Sequence, residues 1–399
     1  MKSKRILARL LHGFNFFNAD YALCRGWSLP PRSVCLVLSH ACNLRCTMCD
    51  IGRANARDTC AGISPLVQAV RSGPDPLSRE EWLSLVDQLA SFVPRPLVLL
   101  TGAEPFMAPH WSAIAERILQ RGLRLHITTN ATLLERSAGQ LTALCPHPDA
   151  LDITVSLDGL ESVHDRVRGV EGTFALALGG MRAFEAAWRR RGWGRAPLHI
   201  TCTLSNHNLD HVPAFVAALT EYGLPVASLT INHLWFRDST IAACHNKTFA
   251  ATMPAAEENI QGVDIAAMHA DRLLATVAAV KNTAARSRFP VFFEPELSEP
   301  ELGLYYSRPE RFVCYNKCTA AWRNVTVTPS GSIILSPLCF LPALGSVKNS
   351  SFRSVWNARP ARQLRRTIRR AGAWPACARC CMLFGSRPKY HKLASLLRY

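Results

Sequence analysis

The sequence predicts an α/β protein, a partial (β/α)6 barrel followed by a small cysteine-rich domain. Between residues 33 and 235, short apolar or β-branched runs alternate with amphipathic helical stretches, the pattern of repeated βα units around a parallel sheet. Cysteines cluster twice, at 42–49 and again between 314 and 381. A chain of 399 residues, 48% of them apolar, can bury a core of that size.

Residues 1–32 form a basic amphipathic extension, in which Ile6, Leu7, Leu10, Leu11, Phe14 and Phe17 share a helical face beside Lys2, Lys4, Arg5 and Arg9. The basic tail, 386–399, repeats the combination with Lys389, Lys392, Leu393, Leu396, Leu397 and Arg398. Such faces pack on a barrel or lie on an anionic membrane. Apolar runs such as Leu97–Leu100 fall far short of the roughly 20 residues that span a bilayer. Arg9, His12 and Asn15 interrupt any signal-peptide core. The expectation is a cytoplasmic chain with peripheral contact to the inner face of the membrane. Lys plus Arg outnumber Asp plus Glu by 46 to 29, a formal +17, which favours anionic partners. No nucleic-acid motif accompanies that charge, and no nucleic acid is expected as partner. Arg362, Arg365, Arg366, Arg369 and Arg370 read as one solvated helix face.

Six strands are expected over 33–235, at Val34–Ser39, Leu97–Thr101, Leu123–Thr129, Leu151–Leu157, Leu198–Leu204 and Ala227–His233. Helices fall between them, among others at 79–91 behind a Ser78 cap, at 111–120 and at 174–191. Residues 54–77 read as a long loop. Residues 236–310 read as a connector with a helix over 263–285 and a Pro- and Glu-rich run over 290–309. Residues 311–385 hold six of the fifteen cysteines and a hairpin that starts at Asn324–Thr328 and turns at Pro329-Ser330-Gly331 toward Cys339. Clustered spacing in a chain of this length points to metal ligation in a reducing compartment rather than to disulfides.

Cys42, Cys46 and Cys49 give Cys-x3-Cys-x2-Cys directly after the first strand. Three thiolates so placed can hold three irons of a cubane and leave the fourth open to a chelating small molecule. Zinc completed by His40 or Asp50 is the bland alternative. Thr101-Gly102-Ala103-Glu104-Pro105 ends the second strand, Thr128-Thr129-Asn130 the third and Ser156-Leu157-Asp158-Gly159 the fourth, with His164-Asp165-Arg166-Val167-Arg168-Gly169 following. Each alone is an ordinary turn or cap. Together they mark the C-terminal ends of strands, the face on which barrels carry their sites.

In this arrangement the chain resembles the radical S-adenosylmethionine (SAM) superfamily. The resemblance implies a TIM-like partial barrel and a SAM-binding [4Fe-4S] cluster on Cys42, Cys46 and Cys49, the catalytic centre. It further implies SAM contacts at Gly102, Ala103, Glu104 and Pro105, in place of the family's Gly-Gly-Glu-Pro motif, and at Asn130, Ser156, Asp158 and Arg168. Thr101 and Ala103 depart from that motif. The order Cys318, hairpin, Cys339, Ser354-Val355-Trp356-Asn357, basic helix and Cys377-Ala378-Arg379-Cys380-Cys381 resembles a C-terminal SPASM or Twitch auxiliary-cluster domain. That implies a second, auxiliary [4Fe-4S] cluster on Cys318, Cys339, Cys377 and Cys380, with Cys381 competing for the place of Cys380 and Cys314 as a further alternative. Seven residues separate Gly331 from Cys339, more than is usual there.

The activity implied is reductive cleavage of SAM and hydrogen abstraction by the 5′-deoxyadenosyl radical from a peptide, sugar or lipid, as in oxidoreductases and maturases of this kind. An electron donor such as flavodoxin or ferredoxin is implied as partner. No separate peptide-recognition domain is seen before residue 33, which counts against a leader-peptide reading. The reading from another class is a zinc-binding, non-catalytic scaffold. Cys24, Cys35, Cys60, Cys145, Cys202 and Cys244 are expected to be small buried hydrophobes, and His233, His245 and His269 core or surface histidines.

Overall fold

The computed structural model describes residues 19–57, 75–258, 260, 262–335, 339 and 341–386. The amphipathic faces at both ends, Cys60 and most of the long loop lie outside the described residues.

The strands are β1 (Ser33–Leu36), β2 (Leu97–Leu100), β3 (Leu125–Thr129), β4 (Leu151–Ser156), β5 (Leu198–Leu204), β6 (Val226–His233), β7 (Val291–Glu294), β8 (Asn324–Val327), β9 (Ser332–Ile334) and β10 (Gly345–Ser346). They form one sheet in the order β10-β9-β8-β1-β2-β3-β4-β5-β6-β7. From β8 through β1 to β7 every pairing is parallel, and β9 and β10 add antiparallel ribbons. The helices are α1 (Ala19–Leu23), α2 (Asp50–Arg57), α3 (Arg79–Ala90), α4 (Trp111–Gln120), α5 (Leu134–Leu144), α6 (Glu161–Arg168), α7 (Thr173–Arg190), α8 (Val212–Glu221), α9 (Ser239–Phe249), α10 (Ala270–Ala284), α11 (Glu299–Ser307), α12 (Phe352–Trp356), α13 (Arg359–Ala371) and α14 (Cys381–Phe384). This is the mixed α/β partial barrel expected, with a cysteine-rich C-terminal part.

Strand alternation divides the work of the sheet. Leu36, Leu100, Ile127, Ile153, Ile200 and Ile231 are fully buried in one core with the crossover helices, where truncation of each to Ala costs about 2–5 kcal/mol. The alternate positions form a half-buried polar face, including Thr128, Thr154, Ser156, Thr201, Thr203 and Asn232. On it Asn232 Nδ2 donates to Thr201 Oγ1 at 2.6 Å, and Thr154 Oγ1 bonds His126 Nε2 at 3.0 Å.

All six expected strands are present, β1 ending at Leu36 rather than Ser39. The Ser78 cap is a full capping box, Glu81 N donating to Ser78 Oγ and Ser78 N to Glu81 Oε2. Differences begin at the sheet edges. The segment read as a connector contains β7, parallel to β6, and the hairpin's first strand, β8, pairs in parallel with β1. The helix expected from 263 starts at Ala270 instead. The preceding residues are held by other partners: His207 Nε2 bonds Gly262 O at 2.8 Å and Asp264 N donates to Asn206 Oδ1 at 3.1 Å. His233 and His245 are buried, and Cys145 and Cys202 are buried as expected.

The arginine row is not one solvated face. Arg365 is buried, donates to Ala321 O, Gly26 O and Asn357 Oδ1 at 2.8, 3.3 and 3.0 Å, and stacks 4.2 Å from the Trp356 ring. Burial lowers its pKa to about 9, with Asp20 working the other way. Arg379 is likewise internal. It donates to the carbonyls of Leu304, Tyr305, Arg308, Arg311 and Ala378 at 2.6–3.1 Å. Four of these belong to α11 and the turn after it, where Leu304 O and Arg308 O also accept from Arg308 N and Arg311 N, so Arg379 ties the Cys377–Cys380 turn to α11. Arg379→Met, which removes all five of these charge-assisted hydrogen bonds from a buried position, should lower unfolding stability by about 3 kcal/mol in a denaturant titration.

The N-terminus of α7 is capped from a distance by Asp165, which accepts from Gly172 N, Thr173 Oγ1 and Phe174 N at 2.7, 2.8 and 2.9 Å. Burial pushes this carboxyl up, but the three hydrogen bonds hold it below the ordinary value. Its contribution is therefore complete above the unfolded aspartate pKa, near about 4, and is lost as pH falls through the lower folded value. Asp165→Ala should cost about 1–2 kcal/mol at neutral pH, a difference that shrinks in melts carried out at progressively lower pH below that point.

Candidate active site

The loop after β1 is fixed by backbone contacts. Arg45 N donates to Arg168 O at 3.0 Å and Thr47 N to Val167 O at 2.9 Å, so the loop hangs on the C-terminal end of α6. Gly169 ends that helix at φ +70°, and a Cβ there would lie 2.6 Å from Arg45 O. On the other side a Cβ at Gly52 in α2 would lie 2.7 Å from Cys46 N. Only glycine permits either approach.

This brings Cys42, Cys46 and Cys49 together. Burial pushes the Cys49 thiol up to about 12, and the neighbouring Cys46 and Cys42 add to it. Cys42 is raised by burial first and by Cys46 among the charged neighbours. Thiols such as Cys42 and Cys49, raised by burial beside other thiols, suit a cationic occupant that removes their protons.

Arg168, expected near SAM, reaches this triad. Its Nη1 lies 3.7 Å from Cys46 Sγ and its Nη2 2.7 Å from Asp158 Oδ2, while its Nε is buried without a hydrogen-bond partner. Burial works against the guanidinium charge, and Asp158 and Cys46 more than restore it. Asp158 is fully buried and also accepts from Thr203 N at 2.9 Å, its own N–H donating to His164 Nδ1 at 3.1 Å. Burial, then the Arg168 charge, holds His164 neutral with a pKa of about 3.

Glu104 faces protein donors. Its buried carboxylate accepts from Thr129 Oγ1, Asn130 N and Phe106 N at 2.8, 2.8 and 3.2 Å, and its own N–H donates to Ala41 O at 3.1 Å. The ends of β2 and β3 are thereby joined to the cysteine loop. Asn130 Nδ2 continues to Asn43 Oδ1 at 2.9 Å, and Asn43 Nδ2 to Thr132 Oγ1 at 2.8 Å. Gly102 is exposed at φ +115°, with Val37 Cγ1 2.7 Å from where a Cβ would stand. Ala103 is half-buried, Pro105 buried, and Ser156 half-buried on the polar face of β4. Asn43, Thr129, Thr132 and His164 were not singled out as site residues. Asn43 inside the cysteine loop, Thr129 beside Asn130 and His164 at the head of the run to Gly169 carried a positional signal, and Thr132 did not.

The second set also converges. Cys318 N donates to Gly372 O at 2.9 Å and Cys380 N to Cys377 O at 3.0 Å. Burial raises the thiols of Cys318, to about 12, and of Cys339 and Cys377, and each is raised further by Cys380. Cys380 alone is lowered, to about 7, by a hydrogen bond from Cys381. That bond casts Cys381 as a donor toward Cys380. Cys314 lies beside Tyr305. No three His, Cys, Asp or Glu side chains among the described residues are set to hold a single metal ion, and no helix among them is long and apolar enough to cross a membrane.

Residues 36–212 match the model of the radical SAM superfamily, and residues 318–381 that of SPASM, an iron–sulfur cluster-binding domain. The chain is 29% identical to the Fe-coproporphyrin III synthase of Methanosarcina barkeri over 188 residues, 47% of this chain and 41% of the synthase. It is 25% identical to the PqqA peptide cyclase of Xanthomonas campestris pv. campestris over 348 residues, 82% of this chain and 74% of the cyclase. The matched part thus spans less than half of the synthase. Streptococcus suis SuiB bound to precursor peptide SuiA shares the fold, with a TM-score of 0.57 at 14% identity over 87% of this chain and 69% of that one. Nothing among these likenesses supports a zinc scaffold. The chain thus carries a radical SAM domain over residues 36–212 and a C-terminal SPASM domain, of the iron–sulfur cluster-binding kind, over residues 318–381.

Proposed function

We propose that this protein cleaves SAM reductively at a cluster held by Cys42, Cys46 and Cys49 and modifies a peptide. The observation that carries the reading is the convergence of those three thiols with Arg168 and Asp158 at the ends of β1 and β4. When bound, the cluster and SAM supply one-electron cleavage of a carbon–sulfur bond and a 5′-deoxyadenosyl radical for hydrogen abstraction.

The chain's own residues orient and shield. Arg168 holds charge beside Cys46 while Asp158 anchors it. Its buried Nε keeps one donor for a carboxylate such as that of SAM. Glu104 is a positioning residue that locks Asn130 and the β2 turn in place, and Gly102, Ala103, Pro105 and Ser156 complete the SAM contacts. Cys318, Cys339, Cys377 and Cys380 would hold the auxiliary cluster. A relative similar to 82% of this chain is a PqqA peptide cyclase, and the hydroxyl and amide groups on the polar face of β3 to β6 offer the hydrogen bonds that a peptide backbone uses. The net positive charge suits an acidic donor of the flavodoxin or ferredoxin type.

Anaerobically reconstituted protein should release 5′-deoxyadenosine from SAM, and the Cys42→Ala, Cys46→Ala, Cys49→Ala variant should release none by chromatography. Cleavage at the parent rate in that variant would remove the assignment. Iron analysis should give about eight irons per chain, since each cubane holds four. Cys377→Ala, Cys380→Ala should retain about half of that iron and some SAM cleavage. Zinc in place of iron in the parent would end the auxiliary-cluster reading.

A further inference from the structure

We infer that Arg237, reaching from the end of β6 in the barrel, is the positioning residue that sets the electrostatic environment of the auxiliary cluster, with Glu258 as its counterweight. The inference rests on the ligand set Cys318, Cys339, Cys377 and Cys380 proposed above.

Arg237 follows β6 by four residues and is buried. Its backbone pairs with that of Glu258 in both directions, at 3.0 and 2.9 Å, its Nε donates to Ala256 O, and its Nη2 lies 3.6 Å from Glu258 Oε1. These contacts fix the position of the guanidinium. A cavity of about 10 Å³ is bounded by Phe236, Arg237, Glu258, Ala376, Arg379 and Cys380, space for about one water. The guanidinium and the Cys380 turn thus border one small internal space. Arg379 lines the same cavity, but its nitrogens donate to carbonyls of α11 and its neighbours.

Four thiolates around a cubane make a net-negative centre, and one-electron reduction adds a further negative charge. A fixed cation at this range in a poorly solvated site favours the reduced form and raises the reduction potential, and a fixed anion lowers it. Removing Arg237 and removing Glu258 therefore have opposite signs, which a merely structural role does not produce.

The test uses full-length protein carrying Cys42→Ala, Cys46→Ala, Cys49→Ala, so that the auxiliary cluster alone gives a signal, reconstituted with iron and sulfide. Iron content and a potentiometric titration followed by electron paramagnetic resonance are recorded for this parent and for Arg237→Gln, Arg237→Lys and Glu258→Gln. The expected result is about four irons per chain throughout, a midpoint shifted to lower potential in Arg237→Gln, near the parent in Arg237→Lys and shifted to higher potential in Glu258→Gln. An unchanged midpoint in Arg237→Gln with its iron intact overturns the inference and leaves the ligand set standing. If Arg237→Gln fails to fold or to hold iron, Glu258→Gln decides, and a midpoint there that is unchanged or lower overturns the inference. A parent without iron after reconstitution overturns the ligand set, and the inference with it.

Discussion

One four-residue strand, β1, is the constraint on which both cysteine sets depend. It pairs in parallel with β2 and with β8, Ser33 standing opposite both Leu97 and Asn324 and Leu36 opposite both Leu100 and Val327. The cysteine loop leaves β1, the Gly102 turn leaves β2, and the hairpin toward Cys339 leaves β8. Two domains that the sequence keeps some 270 residues apart (318 against 49) are therefore neighbours in one hydrogen-bonded ladder. A slip of one residue at β1 would exchange its buried and open faces. Ser33 Oγ donating to Asn324 Oδ1 at 2.7 Å and Arg32 N to Arg323 O at 2.7 Å help pin the register.

What could be read beforehand was local. Strands β1 to β6 announced themselves through composition and turn residues and the cysteine loop through its spacing, while Glu104, Asn130, Asp158 and Arg168 were expected at the site only through the family resemblance. What could not be read depends on partners distant in sequence. β7 has four residues, Val-Phe-Phe-Glu, too short to show a period, and its identity as a strand comes from β6. The pairing of β8 with β1 has no signature in either segment. Arg365 shares its composition with its exposed neighbours, and only Trp356, Ala321 and Gly26 make it internal. Likewise Glu104 was legible as a site residue, but its bonds to Thr129 and Asn130 were not, because they join the ends of two strands.

Part of the positive charge that the composition advertises lies inside. Arg168, Arg237, Arg365 and Arg379 are wholly or largely buried, and the last two meet mainly carbonyl oxygens rather than carboxylates. A guanidinium offers five donors in a rigid plane, so one residue can satisfy several chain ends and turns at once. In a protein whose turns must present thiols rather than close on themselves, such forks replace regular secondary structure as the means of holding irregular backbone still.

The attachment of the cysteine loop to α6 has a further consequence. The same short helix supplies the carbonyls of Val167 and Arg168, which hold the loop, and the Arg168 side chain, which touches Cys46. Thiol, guanidinium and supporting backbone thus travel as one rigid body. A shift of α6 against the sheet would therefore carry the anchor of the loop and the guanidinium beside Cys46 together.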